Sequence, residues 1–305
     1  NQSIVTTFIV LGLSSDTHLQ FLLFVLFLSI YVIALLGNLL IMAAVLSNSK
    51  LQRPMYFFLF HLAMVDIIGT STVIPQMLGN LVAVRKSISF PRCIAQLYFF
   101  TWSLGAEMVL FTVMAYDRYV AVCHPLRYSI MMNKTMCMGL SALVMVIAVI
   151  NTSVHTGLVL RLTFCGPNII NHFFCEIPSL LVLSCTSVRI NEVMSFTTDI
   201  FRFSYCFIVR AILRIKTTEG RRKAFSTCSS HLIVVSLYYS TVIYTYIRPA
   251  SSYSFNKDKI IATLYSLVTP TLNPIVYTLR NKDVRQAIRK MLPHLGKRKS
   301  GALVL

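Results

Sequence analysis

The chain reads as an all-α membrane protein, a bundle of seven transmembrane helices followed by a short amphipathic helix. Hydrophobic residues make up 56% of its 305 positions and charged residues only 12%, about half the charged share of a soluble domain. Four long windows are free of charge, each near or above the roughly 20 residues that cross a bilayer, and two more are interrupted by a single acid each. Basic residues outnumber acids by 28 to 10, and most of them fall in segments that alternate along the chain, as cytoplasmic loops do.

The first span lies between Asp16 and Lys50, where no Asp, Glu, Lys or Arg occurs. The second, opened by Pro54, runs between Arg53 and Arg85 with Asp66 as its single charge; the third runs between Arg92 and Asp117 with Glu107 as its own, and Pro125 follows it. The fourth (Lys134 to Arg161), the sixth (Lys223 to Arg248, with Pro249 behind it) and the seventh (Lys259 to Arg280) are uncharged between their bounds. The fifth is the difficult one. In "VMSFTTDIFRFSYCFIVRAILRI", residues 193–215, the longest uncharged run is Phe203 to Val209, about 10 Å of helix at 1.5 Å per residue. The segment spans if Asp199 and Arg202 face other helices while Arg210 and Arg214 reach toward the headgroups. Parity requires the crossing. With seven spans and the N-terminus outside, "RRK" at 221–223 and "KRK" at 297–299 both lie inside, which six spans forbid. The "RNKDVRQAIRK" that follows reads as an amphipathic helix on the inner leaflet. A single domain results: 1–18 extracellular, 19–280 the bundle, 281–305 a cytoplasmic helix and tail.

The net charge of +18 therefore reports topology. Nucleic acid is excluded as a partner, since no basic face interleaved with aromatics sits on a water-soluble element. Asn1 opens an N-x-S acceptor for glycosylation outside the cell, whereas Asn133-Lys-Thr and Asn151-Thr-Ser fall in a cytoplasmic loop and a span. No cleavable signal is visible, so the first span is expected to act as the targeting signal. Cys93, Cys165, Cys175 and Cys185 lie on the outer side, where disulfides persist, and allow three pairings; zinc held by His172 and Cys175 is the alternative. Cys123, Cys137, Cys206 and Cys228 read as reduced small hydrophobes.

A charge at the centre of a membrane helix costs roughly 2.5 to 3.5 kcal/mol, so Asp66 and Glu107 need partners. With the amides Asn38 and Asn273 they offer hard oxygens that converge on a small cation such as sodium, share a proton, or bond one another as interhelical glue. Glu107 and Arg118 are close to three helical turns apart and lie on one face. Arg118 sits where a helix C-terminus favours a cation, and Asp117 can hold it by charge-assisted hydrogen bonds. That pair is either a plain interfacial anchor or a switch.

The motifs "GN" at Gly37-Asn38, "PMYFFL" at 54–59, "MAYDRYVAVCHPLRY" at 114–128, "SY" at Ser204-Tyr205, "KAFSTCSSHL" at 223–232 and "PTLNPIVYTLRN" at 270–281 resemble those of rhodopsin-like G-protein-coupled receptors, specifically the odorant (olfactory) receptors. The resemblance covers nearly the whole chain. It implies that Asp117 restrains Arg118 at rest, with Tyr119 completing the motif, and that an agonist frees Arg118 to meet Tyr205, Tyr277 and the tail of an olfactory stimulatory G protein, raising cyclic AMP. Tyr239 matches the sixth-helix switch tyrosine; Asn273 and Pro274 make the seventh helix a mover. It further implies the disulfides Cys93–Cys175 and Cys165–Cys185, and small, mostly apolar volatile ligands bound in the outer half of the bundle by Phe100, Thr101, Leu104, Gly105, Met108, Val242, Ile243, Tyr246, Thr263 and Ser266. No catalysis and no cofactor beyond sodium are implied, and the plasma membrane is the expected location. Two departures stand out. Ser240 replaces a usual Gly, and between Cys185 and Ser204 the family carries roughly three more helical turns. A shortened receptor with an impaired odorant response is the alternative reading; a channel or transporter, which needs a continuous polar pathway, is the remote one.

An epitope placed between Lys216 and Gly220 is expected to be labelled only after permeabilisation; labelling of intact cells would overturn the seven-span topology.

Overall fold

The computed structural model describes residues 5–14, 16–165, 168–202, 236–238, 240–242, 244–245, 255–280 and 283–290. Helix α1 (Thr17–Ser47) begins where Asp16 accepts hydrogen bonds from the backbone N–H groups of His18 and Leu19, satisfying two of the donors that open any helix. Helix α2 (Pro54–Val82) starts on a proline, which lacks an N–H where none is needed. Helix α3 (Phe90–Cys123) ends before Pro125, and the short α4 (Tyr128–Met131) leads to α5 (Lys134–Leu160), capped by the Asn133 side chain. That cap occupies the Asn133 amide, and Asn151 lies inside α5. Beyond come α6 (Ile177–Leu181) and α7 (Arg189–Arg202), which begins four positions before the expected fifth span.

The described residues of the sixth span are helical, and residues 283–290 form a helix with Val284 and Ala287 buried. The seventh span is composite: α8 (Phe255–Thr263), a π turn at Leu264–Val268 and α9 (Thr269–Arg280). Pro270 explains the π turn, because a proline ring displaces the preceding turn and removes its hydrogen bond.

Four described helices, α1, α2, α3 and α5, are long and apolar enough to cross a bilayer. Phe21, Leu22, Leu36 and Leu46 on α1 and Leu143, Val146 and Ile150 on α5 are more than half exposed. In a bilayer those faces meet lipid. Packing runs from α5 to α3 to α2 to α1 and on to α9, so α3 has neighbours on both flanks. Two glycines set the closest crossings. A Cβ on Gly37 would stand 2.9 Å from the Pro274 ring, and one on Gly69 would stand 2.7 Å from Ser103 Oγ.

The outer end carries a sheet that the sequence does not announce. Strand β1 (Thr7–Val10) lies between β2 (Ser87–Ser89), its antiparallel neighbour, and β3 (Ile169–Ile170), its parallel one. The alternation in "TFIV" turns Phe8 and Val10 inward, onto Ile88, Leu97, Ile170 and Leu180. Cys93–Cys175 and Cys165–Cys185 are bonded, with Cα separations of 5.5 and 5.8 Å. Cys175 therefore has no thiolate for zinc, and the His172–Cys175 alternative is withdrawn.

Gly37→Ala tests the crossing of the first and seventh spans. In an open helix this exchange gains about 1 kcal/mol, whereas here the methyl group overpacks against Pro274 at a cost of about 1–3 kcal/mol. The melting midpoint of the detergent-purified protein is expected to fall.

Candidate functional site

Cys93, Gln96, Phe100, Leu104, Glu107, Phe111 and Arg118 recur along α3 at intervals of three, four or seven. Such spacing forms one stripe of a helix, and three polar stations lie along it.

At the inner end, Asp117 is fully buried and both its carboxylate oxygens are engaged. Arg118 Nη2 donates to Oδ2 at 2.9 Å and the Tyr128 hydroxyl donates to Oδ1 at 2.7 Å. Tyr128 closes the sequence motif, which by itself assigns it no role. Burial, and then its bond to Asp117, push the Tyr128 phenol above its ordinary range, so it remains a donor. Tyr119 is half-buried, its ring edge-on to His124. Tyr277 is in α9, with its side chain outside the described residues, as are Tyr205 and Tyr239.

The middle station joins four elements. Asn273 Nδ2 donates to Asp66 Oδ2 at 2.8 Å, and the Asp66 and Glu107 carboxyls are near enough to interact electrostatically. Two carboxylates so close need a proton or a cation between them. Asp66 Oδ1, Glu107 Oε2 and Asn273 Oδ1 are buried without a hydrogen-bond partner. Asn38 Nδ2 donates to Ala34 O at 3.0 Å and to Pro270 O at 3.2 Å. Pro274 has no N–H to offer the carbonyl four residues earlier, and Asn38 supplies the missing donor.

At the outer station the expected ligand residues Phe100, Thr101, Leu104, Gly105, Met108, Val242 and Ser266 are buried and Thr263 is half-buried; Ile243 and Tyr246 lie outside the described residues. Thr263 and Ser266 donate their hydroxyl protons to Lys259 O and Ala262 O of their own helix, leaving lone pairs toward any neighbour. Above them the outer loop forms a roof that sequence reasoning missed. Phe173, Phe174, His172 and Glu176 are all buried. Phe174 meets Phe100 edge-on at 4.8 Å, the Tyr265 hydroxyl donates to Glu176, and Lys259 Nζ donates to Asn171 Oδ1 at 2.8 Å. Gln96 ties the roof to the bundle, accepting from Cys175 N–H at 2.9 Å and donating to Thr72 O at 3.0 Å. The signal was present in "HFFCE": paired phenylalanines beside a cysteine in a loop call for burial.

His172 stacks on Phe173 at 4.6 Å, with Nε2 3.4 Å from Glu176 Oε1. Burial, and then the Lys259 ammonium, pull its pKa down to about 3, so this contact involves a neutral ring. Because the folded value lies below the unfolded one, stability is full above about pH 6.5 and is lost as pH falls toward 3, by about 1.4 kcal/mol per unit for one proton. Melting of the purified protein across that range is expected to show this slope, and His172→Asn to flatten it.

A family profile described as "Olfactory receptor" matches residues 27–295. Human (Homo sapiens) olfactory receptor 13G1 is 59% identical over 304 residues, covering 97% of this chain and 99% of that protein. Human olfactory receptor 13A1 is 53% identical over 302 residues, covering 96% and 92%, and mouse (Mus musculus) olfactory receptor 5AR1 is 44% identical over 301 residues, covering 96% and 97%. With motifs, spans and overall length all in agreement, the chain belongs to the olfactory receptor family, whose members are seven-helix G-protein-coupled receptors and not enzymes.

Proposed function

We propose that this olfactory receptor binds a small, uncharged, mostly apolar volatile in the outer half of its bundle and activates the olfactory stimulatory G protein, raising cyclic AMP. The observation that carries the reading is the buried Asp117, whose two oxygens hold Arg118 and Tyr128. A carboxylate taken out of water has its charge offset by the guanidinium beside it. Releasing that pair gives the inner face a free arginine, a two-state element that a distant ligand can bias. Phe100, Leu104 and Met108 supply an apolar wall. The hydroxyls of Thr263 and Ser266, with their protons committed to their own helix, accept rather than donate, which favours ligands that carry a donor, such as alcohols.

Sodium at Asp66, Glu107, Asn38 and Asn273 belongs to the same reading. Three buried oxygens without partners are a donor set suited to a small hard cation, which would supply the positive charge the two carboxyls need. Asn38, whose Nδ2 serves the Pro270 carbonyl, keeps its Oδ1 for the same ion. The orientation we propose is a multi-pass plasma-membrane protein with 1–18 and a glycosylated Asn1 outside, the bundle over 19–280, and 281–305 inside. Roles for Tyr205, Tyr239 and Tyr277 are retained as proposals.

A second reading, an impaired odorant response, is favoured by α7. It carries Arg189, Glu192, Asp199 and Arg202. Cells expressing the chain with the olfactory stimulatory G protein are to be screened with a panel of volatile alcohols, aldehydes and hydrocarbons for cyclic AMP, beside a chimera with an uncharged fifth helix. A response in both chains, absent without the G protein, is expected; a response in the chimera alone establishes the second reading. Silence in both, at normal surface levels, counts against the proposal. Asp117→Asn is expected to raise ligand-free cyclic AMP several-fold.

A further inference from the structure

Among the described residues, Lys259 is a buried charge without an opposite. It lies in α8 and is 9% exposed, a rare condition for a lysine that has no ion pair. No carboxylate of the described residues pairs with it, its chain neighbour Asp258 included. Its Nζ donates instead to Asn171 Oδ1, a neutral amide of the outer loop, at 2.8 Å. An ammonium has three N–H donors, so two remain, and a charge out of water is costly until its donors are met. The surroundings tie this group to the expected odorant wall. The ammonium is close enough to the fully buried His172 ring to disfavour a second charge there. That ring stacks on Phe173 at 4.6 Å and meets Phe174 edge-on at 4.9 Å, and Phe174 in turn meets Phe100 of α3. Along the seventh span Thr263 and Ser266 follow Lys259 at four and seven positions, the spacing of one helix face, and the Thr263 hydroxyl donates to Lys259 O.

We propose that Lys259 is a hydrogen-bond donor of the odorant site and selects ligands that carry a carbonyl oxygen, aldehydes and ketones. Such ligands accept hydrogen bonds and donate none. Thr263 and Ser266, whose protons are committed to their own helix, have none to give them. A free N–H of the ammonium does, through a charge-assisted bond roughly twice as strong as a neutral one. A carboxylate would pair with the same charge, but it must first shed the hydration of a full ion to enter a chamber walled by Phe100, Leu104 and Met108. A neutral carbonyl sheds far less. Its alkyl chain lies along that apolar wall while its oxygen meets the roof. The inference rests on the receptor reading proposed above and adds to it a ligand class beyond alcohols.

The test sets ligands of one chain length, heptanal, methyl pentyl ketone, heptanol and heptanoate, against the full chain expressed with the stimulatory G protein. The half-maximal concentration for cyclic AMP is read at matched surface amounts. Lys259→Met keeps the length and the apolar stem and removes the charge. It is expected to raise the value for heptanal and the ketone about tenfold or more, the scale of losing a hydrogen bond to a charged group. Heptanol is expected to lose less than about threefold, because the alcohol keeps the bond its own proton makes to Thr263 or Ser266. Asn171→Ala separates this role from that of a latch on the outer loop: it breaks the latch, leaves the ammonium in place and is expected to preserve the carbonyl response. Unchanged carbonyl values in Lys259→Met, equal losses for every ligand, or the same losses in Asn171→Ala would overturn the inference. So would heptanoate acting at lower concentration than both carbonyl compounds. If Lys259→Met does not reach the surface, Lys259→Gln, also uncharged, takes its place with the same expectation. Should no chain signal with any ligand, the coupling reading fails, and the rise in melting midpoint that heptanal gives the detergent-purified protein decides the site alone. A rise that the charge-removing variant abolishes keeps the inference; no rise, or one that survives the change, removes it.

Discussion

A lipid interior offers no hydrogen bonds, so every polar group placed there must find its partner within the protein. Helix α3 shows how far that constraint reaches. Three of its polar groups each fix a neighbouring element: Gln96 the roof and α2, the Leu104 carbonyl the sixth span through the Tyr238 hydroxyl, Asp117 the Tyr128 loop. Apolar packing alone would let helices slide along one another, because lipid tails and leucine side chains are equally good company. Polar pairs fix the register. The buried acids thus serve geometry whatever further part they play in signalling.

Prolines create a second set of obligations. Pro75, Pro270 and Pro274 interrupt α2 and the seventh span, and each leaves a carbonyl without its usual donor. One repair comes from elsewhere in the molecule. Asn38 reaches from α1 to Pro270 O, the carbonyl that Pro274 leaves unmet, and Gln96 reaches from α3 to Thr72 O, next to the Ser71 carbonyl that Pro75 leaves unmet. Gly37, whose missing side chain lets Pro274 approach, makes the first repair sterically feasible. A break in one helix thereby becomes a bond between two, and the seventh span can shift only by disturbing the first.

Gaps in charge made the spans legible, and isolation made Asp66 and Glu107 legible, because a lone acid in an apolar run has few explanations. Adjacency did the same for Asp117 and Arg118. Distance in sequence hid the rest. Tyr128 meets Asp117 across a proline break, and Tyr265 meets Glu176 from 89 positions away. Strand β1 is four residues long, too short for periodicity to register. Thr263 and Ser266 are recognisable as polar wall, yet the direction of a hydroxyl proton depends on the carbonyl one turn back and is not written in residue type. Zinc at His172 and Cys175 is a fair reading of two ligand types three residues apart, undone by a disulfide partner far away in the chain.

The order of strands has a consequence for biosynthesis. Strand β1 is made first, but its parallel partner Ile169–Ile170 emerges about 160 residues later, a delay on the order of 10 to 30 s at 5–20 residues per second. Until then Phe8 and Val10 have only part of their cover, and one edge of the strand stays unpaired. Closure of this face therefore waits until more than half of the 305 residues have been made, and an unfinished copy exposes that strand edge to chaperones in the meantime.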